Sequence, residues 1–193
     1  MTAYTIFLAL VALERLGELV LSRRHQAALQ RERQRVYAEP MFAAMVALHV
    51  GVFAAAWCEV YFLNRPFLWW AGGPAAVLFV LATALRWWVI LTLGQQWTVR
   101  VVAGSTLTIR TDEPFRYIRH PNYLGVLLEV ASIPLIHTAY LTAIVFTVAN
   151  WMVLSRRMTF EEQALMQNSD YLARMGNKPR LFGASRKAGH FAK

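Results

Sequence analysis

The chain has 193 residues, of which 57% are hydrophobic and only 16% are charged, so it is too apolar for an ordinary soluble domain and long enough for several membrane spans. Its net charge of +9 is not good evidence for nucleic-acid binding. The basic residues cluster just outside apolar segments, as they do in membrane proteins that contact anionic lipids. The sequence therefore predicts an all-α integral membrane protein without a nucleic-acid partner.

The first apolar segment covers residues 2–21. It contains Glu14, Arg15 and Glu18 and has no basic stretch before it, which distinguishes it from a cleaved signal peptide. We predict a retained span. The strongly basic segment SRRHQAALQRERQR, residues 22–35, favours a cytoplasmic helix and places the N-terminus outside.

Two further spans are predicted over residues 40–62 and 67–93, joined by a turn at Asn64-Arg65-Pro66. Cys58 is the only cysteine, so the chain has no internal disulfide. Residues 97–120 then alternate β-branched and polar side chains around Gly104-Ser105, which predicts an extended or hairpin-like cytoplasmic segment.

The apolar stretch from residue 123 to 154 is interrupted by Pro134 and by the sequence IHTAY. Two short helices in a tight hairpin, residues 123–136 and 139–154, would satisfy all backbone groups, whereas one helix would overshoot the bilayer. This brings the count to about five spans. A cytoplasmic helix is predicted over residues 158–175, and residues 184–193 are predicted to be disordered after a single domain of residues 1–183.

The sequence RHPNY carries the first group of chemically interesting residues. Pro121 suits the first turn of a helix, whose free N–H groups, with Arg119 and His120, would form a cytoplasmic site for a carboxylate or phosphate. His120 and Tyr123 are three residues apart and share a helix face. The alternative is a positive-inside anchor with a proline-initiated helix.

A second cluster lies in SRRMTFEEQAL, where Arg157 and Glu161 are four residues apart on one helix face. The alternative is a surface ion pair worth about 0.2–0.5 kcal/mol. What favours a site is that both clusters fall on the same side of the membrane.

Polar residues inside the predicted spans give a third indication. Glu129 and Asn150 lie on the two arms of the hairpin, where ionisable groups usually face a cavity or each other. A pocket and a satisfied structural network are both compatible with them. His49 and His137 have no partner that the sequence identifies, and we interpret them as structural.

Several familiar motifs are missing from the sequence. It has no GxGxxG fingerprint, no glycine-rich phosphate loop, no HExxH and no GxSxG. No metal site is predicted, and a nucleotide-like cofactor would not be bound on a Rossmann fold.

PFRYIRHPNYLG followed by RRMTFEEQAL resembles the isoprenylcysteine carboxyl methyltransferase family of integral membrane methyltransferases over residues 97–181. The first half, with ERLGEL and MVALHV, resembles a bacterial subgroup found beside type III polyketide synthases and thought to O-methylate alkylpyrones or alkylresorcinols. Looser similarity extends to the phospholipid N-methyltransferases.

The resemblance implies S-adenosylmethionine in a cytoplasmic pocket formed by the loop before the hairpin, the RHPNY helix start and the EEQAL helix. Arg157 matches the family's substrate-facing arginine, and Glu129 and Asn150 would lie near the acceptor's corridor. Cofactor contacts are implied for nine residues: Leu107, Thr108, Ile109, Phe115, His120, Pro121, Tyr123, Glu161 and Glu162.

The function so implied is O-methylation of a membrane-dissolved lipophilic acceptor, an alkylpyrone, alkylresorcinol or related polyketide hydroxyl. The enzyme alternatives are carboxyl methylation of a prenylated cysteine and phospholipid N-methylation. A non-enzyme alternative is a small membrane carrier or structural protein, which cofactor binding would distinguish. The oligomeric state is left open.

Overall fold

The computed structural model describes residues 1–104 and 107–181. Its helices are α1 (Thr2–Arg31), α2 (Phe42–Phe62), α3 (Trp69–Leu93), α4 (Pro121–Leu135), α5 (Tyr140–Leu165) and α6 (Asp170–Met175), and one 3-10 turn, Gly94–Gln96, follows α3. Strands β1 (Arg35–Val36) and β2 (Val102–Ala103) pair antiparallel, with Arg35 opposite Ala103. The predicted all-α class is therefore right for the bulk of the described chain.

Two helices, Phe42–Phe62 and Trp69 through Gln96, are long and apolar enough to cross a membrane within the described residues. Helix α1 carries charges within its apolar part, and α4 has only 15 residues. Large apolar side chains nevertheless cover the outside of α1, where Leu10 and Leu13 are 60% and 62% exposed. Such a surface fits contact with lipid, while the number of spans stays a prediction.

The predicted first span and the basic segment after it form one continuous helix, α1, of 30 residues. Strand β2 lies in the predicted extended segment, but its partner is β1, directly after α1, and no hairpin forms within residues 97–104 and 107–120. The pairing joins the end of α1 to the chain that follows α3. The predicted turn includes Ser105, which lies outside the described residues.

The predicted helical hairpin corresponds to α4 and α5. Helix α4 ends one residue after Pro134, and Thr138 adopts a positive φ of 57° in the connection. Helix α5 continues without a break past residue 154, so the predicted last span and the start of the predicted cytoplasmic helix are one helix. The chain breaks instead at Asn168, whose side-chain oxygen accepts from the Asp170 N–H before α6. Residues 184–193, predicted to be disordered, lie outside the described residues.

Helix α4 packs between α3 and α5, and α2 packs against α5. The close approach of α3 depends on Gly125, because a Cβ there would lie 2.4 Å from Arg86 Cγ and 3.1 Å from the Ala82 carbonyl oxygen. Gly125 therefore allows the charged side chain of Arg86 to lie directly against α4 inside the bundle.

Candidate functional site

A cavity of about 350 Å³ lies between the helices α1 to α5 and the segment that joins α3 to α4. At one end its wall includes Arg119, His120 and Glu161, and at the other it includes Ala12 and Phe53. One continuous space therefore joins a polar end to an apolar end.

The start of α4 is fixed by the chain after α6. The backbone N–H groups of Arg119 and His120 donate to the carbonyls of Pro179 and Arg180, at 2.9 and 3.1 Å. Pro121 follows as the first residue of the helix, as its fixed φ predicts. This pairing sets the direction in which the His120 side chain enters the site.

Glu162 holds these two segments together. Its carboxylate lies 3.1 Å from His120 Nε2, 3.0 Å from Arg119 Nη1 and 2.5 Å from Arg180 Nη2. Burial alone would raise the pKa of Glu162, but hydrogen bonds from His120 and Arg180 and the charge of Arg119 lower it below its usual value. Glu162 does not line the cavity, so the predicted cofactor contact lies one layer behind the wall.

The lowered pKa of Glu162 predicts an acid-sensitive fold. A carboxylate whose pKa is lower in the folded than in the unfolded protein stabilises the fold above the unfolded value and loses this contribution as pH falls through the folded value. We expect stability to fall as pH drops below about 4.3. Thermal unfolding in detergent between pH 3 and 6 should show this loss, and Glu162→Gln should show a smaller pH dependence over that range. An unchanged pH dependence in the variant would contradict the assignment.

Tyr123, Glu161 and Arg157 meet in the cavity wall. The Tyr123 hydroxyl donates to the Glu161 carboxylate, and the Tyr123 ring stacks on the His120 ring with centroids 5.3 Å apart. The Arg157 guanidinium carbon lies 5.3 Å from the centroid of the Tyr123 ring. The predicted site residues of RHPNY and EEQAL are thus in mutual contact.

Arg157 is almost completely buried and is held by three groups that the sequence analysis did not identify. It donates to the Met45 sulfur and the Val99 carbonyl, and its Nε lies 3.3 Å from Glu39 Oε1. Burial would lower the pKa of Arg157, but Tyr123, Glu39 and Glu161 together raise it. Burial raises the pKa of Glu39, and the Arg157 charge offsets part of that shift.

The predicted cofactor loop, Leu107 to Ile109, lies beside the cavity without lining it. The Gln96 carboxamide, in the orientation that hydrogen bonding favours, donates to the Thr108 carbonyl at 3.0 Å and accepts from its N–H at 3.2 Å. Ile109 packs against a cluster that contains Phe115, which does line the cavity. The loop therefore supports residues of the wall.

A charged network closes the inner part of the cavity. Glu129 accepts from Arg15 at 2.8 Å, from Arg86 at 2.8 Å and from Thr83 at 2.9 Å, and Glu18 pairs with both arginines. Arg15, Glu18 and Arg86 line the cavity, whereas Glu129 lies behind them. Of the two alternatives for Glu129, the structure favours a satisfied network at the edge of the pocket.

Asn150, the other predicted corridor residue, is fully buried and does not line the cavity. Its side-chain oxygen and nitrogen have no hydrogen-bond partner among the described residues. The structure places it within α5 in the helix bundle, away from the cavity wall.

The cavity suits a polar cofactor with hydrogen-bonding groups. Its volume lies within the range of about 300–1,000 Å³ that is usual for small-molecule sites. Trp97 Nε1 and Asn122 Oδ1 are buried without a hydrogen-bond partner among the described residues, and both residues line the cavity. This unused donor and acceptor, in the same cavity as the Glu161 carboxylate and the Tyr123 ring, fit the polar groups and the positive charge of S-adenosylmethionine. Within the described part of the chain, no group of side chains could hold a metal ion.

The helical bundle, its membrane-capable helices and a cavity that joins polar and apolar ends define an integral membrane protein with a candidate small-molecule site. The sequence profile of the isoprenylcysteine carboxyl methyltransferase (ICMT) family matches residues 75–167, which include both α4 and the EEQAL motif of α5. Over these residues the chain belongs to the ICMT family.

Similar proteins include uncharacterized bacterial proteins and proteins described as isoprenylcysteine methyltransferases. An uncharacterized protein of Bacillus subtilis, YpbQ, is 27% identical over 86% of this chain and 98% of its own length. Protein-S-isoprenylcysteine O-methyltransferase B of Arabidopsis thaliana is 26% identical over 56% of each chain, so this chain spans about half the length of that relative. The solved structure of the eukaryotic intramembrane Ras methyltransferase ICMT matches with a TM-score of 0.61 and 22% identity, over 86% of this chain and 62% of that one. This likeness supports the membrane fold.

Proposed function

We propose that the protein is an S-adenosylmethionine-dependent O-methyltransferase whose acceptor is dissolved in the membrane. The observation that carries this proposal is the single cavity with Glu161 and His120 at its polar end and Phe53 at its apolar end. A soluble donor and a lipophilic acceptor need such a shared space, because methyl transfer requires their alignment and the exclusion of water. We propose a long-chain alkylpyrone, alkylresorcinol or related polyketide hydroxyl as the acceptor.

The polar end supplies the residues proposed to hold the cofactor. Glu161, His120 and Tyr123 would contact it directly, and Phe115 and Pro121 would contribute apolar surface in the same wall. Leu107, Thr108 and Ile109 would shape the wall through Gln96 and Phe115, and Glu162 would fix His120 from behind. When bound, S-adenosylmethionine supplies an electrophilic sulfonium methyl group.

Arg157 is proposed to orient the acceptor oxygen. Its guanidinium is buried, remains charged, and borders the cavity between the polar end and the apolar wall. A fixed positive charge in a dry site stabilises an oxyanion more strongly than it would in water. Glu129 and Asn150, which do not line the cavity, are proposed to support the corridor by positioning the helices around it.

The lipophilic acceptor is supported by the outer wall of the cavity. Leu16 and Val50 line the cavity and are also 56% and 64% exposed on the protein's apolar surface. Residues that face both sides mark an opening toward the hydrocarbon region. We therefore propose that the acceptor reaches Arg157 between α1 and α2.

The proposed topology places the protein in the cytoplasmic membrane with five spans, the N-terminus outside and the active site inside. It is supported by the position of Arg23, Arg24 and Arg31 at the same end of α1 as the polar end of the cavity. Positive charge at that end favours a cytoplasmic location.

A second candidate acceptor is the carboxylate of a prenylated cysteine. It is favoured by the relatives from Arabidopsis thaliana and Dictyostelium discoideum, which are described as protein-S-isoprenylcysteine O-methyltransferases. Base treatment separates the candidates, because a methyl ester releases methanol and a methyl ether does not. An amine acceptor in a phospholipid would give label in the headgroup fraction.

The experiment that tests the proposal uses membranes containing the full chain, methyl-labelled S-adenosylmethionine and a host lipid extract. Base-stable label in the organic phase supports a phenol or enol acceptor, and label released as methanol supports a carboxylate. A protein that does not bind the cofactor would contradict the methyltransferase proposal and favour a carrier or structural role.

Glu161→Ala is predicted to weaken cofactor binding about 10- to 100-fold, because a charge-assisted hydrogen bond of about 1.5–3 kcal/mol would be lost. Isothermal titration of purified protein in detergent measures this change. The matched control is Glu162→Gln, which alters the neighbouring carboxylate behind the wall and should have a smaller effect. Equal affinity for Glu161→Ala and wild type would remove Glu161 from the site.

A further inference from the structure

His49 lies on α2 in the wall of the cavity, and neither motif of the site includes it. Its Nδ1 is 2.7 Å from the carbonyl oxygen of Met45, one helical turn earlier. A carbonyl can only accept, so Nδ1 carries the hydrogen, and in the neutral ring Nε2 bears the lone pair. Nε2 receives no hydrogen bond from the described part of the chain. The helix thus presents a preset proton acceptor at the cavity.

Met45 connects this imidazole to the proposed acceptor-binding arginine. Its backbone carbonyl accepts from His49, and its sulfur accepts from Arg157. His49 also interacts electrostatically with Arg15, Glu129 and Arg157. It therefore lies where the apolar corridor passes between Arg157 and the inner charged network.

We propose that His49 Nε2 is the general base that removes the proton from a hydroxyl acceptor; this rests on the proposed methyltransferase function. The acceptor O–H bond breaks and its proton passes to Nε2, while an oxygen lone pair forms the new O–CH3 bond. The methyl–sulfur bond of the sulfonium donor breaks with its electron pair staying on sulfur, which leaves a neutral thioether. Arg157 stabilises the oxyanion, and the imidazolium later returns its proton to water.

This role narrows the acceptor class. A carboxylate is already ionised at neutral pH and needs no base, whereas a phenol with a pKa near 10 needs one. A histidine with a free Nε2 in the cavity therefore favours a phenol or enol over a prenylcysteine carboxylate. The residue that the sequence analysis interpreted as structural becomes a determinant of specificity.

The test uses His49→Asn in the full-length protein, with a series of long-chain alkylphenols that differ only in ring substituents. One member has ordinary phenol acidity, and another is fully ionised at the assay pH. Loss of a general base typically costs about 100-fold or more, so we expect a loss of that size with the ordinary phenol and nearly wild-type rates with the ionised one. Added imidazole should restore part of the rate with the ordinary phenol. Cofactor affinity should be unchanged.

Other outcomes overturn the proposal. Equal losses with both phenols would mean that His49 only positions groups, and no loss with either would mean that it has no part in proton transfer. Transfer by the wild type to a prenylcysteine carboxylate but to no phenol would exclude the base while retaining the methyltransferase. Absence of Glu161-dependent cofactor binding in the wild type would instead overturn the proposed function itself.

Discussion

Arg157→Ala is expected to reduce methyl transfer by about 100- to 1,000-fold while leaving cofactor affinity within a few-fold, because a preorganised donor to a developing oxyanion is worth that much in other enzymes. The side chain faces the cavity beside Tyr123 and is held by Met45, Val99 and Glu39. Single-turnover kinetics with a phenol acceptor and titration of the cofactor separate the two effects.

The substitution also leaves Glu39 buried without its cation, and breaking a buried pair costs about 3–5 kcal/mol. A matched variant, Arg157→Met with Glu39→Gln, removes both charges and should recover most of that stability without recovering turnover. Wild-type turnover in the matched variant would mean that Arg157 is only a structural cation.

Arg86→Leu is expected to lower the free energy of unfolding by about 3–5 kcal/mol, because it leaves buried carboxylates incompletely paired. Arg86 Nη1 is 2.8 Å from Glu129 and Nη2 is 2.5 Å from Glu18, and all three side chains are buried. Thermal unfolding in detergent micelles should show a large decrease in Tm.

The matched control for Arg86 is Glu14→Gln, at the outer edge of the same group of charges. Glu14 accepts from Trp87 Nε1 at 2.7 Å, and glutamine keeps an acceptor oxygen for this hydrogen bond, so we expect only a small decrease in Tm. Similar Tm decreases in both variants would show that Arg86 is not held in a buried network.

Local rules were sufficient for much of the architecture. Pro121 begins α4 as the helix-start rule predicts, and the interruption after Pro134 separates α4 from α5. The contact between RHPNY and EEQAL was expected from the family resemblance, and Tyr123 and Glu161 are hydrogen-bonded. These features depend on neighbouring residues or on motifs that carry their own signal.

Contacts between residues far apart in the chain could not be predicted from local sequence rules. Strand β1 pairs with β2 across 66 or more residues, and nothing in either two-residue segment identifies its partner. Glu39 lies in the connection between β1 and α2 and has no motif that links it to Arg157. Arg86 did carry a signal, as a lone cation in a long apolar segment, and the rule for intramembrane charges would have identified it.

The pairing of Arg119 and His120 with Pro179 and Arg180 has a consequence for biosynthesis. The helices of the bundle can enter the bilayer one after another while translation continues, but the backbone partners that align His120 are among the last described residues to be made. The polar end of the cavity is therefore completed only after the final membrane helix has been inserted and the following chain has folded back onto it. A nascent protein would be anchored in the membrane before this end of the cavity is complete.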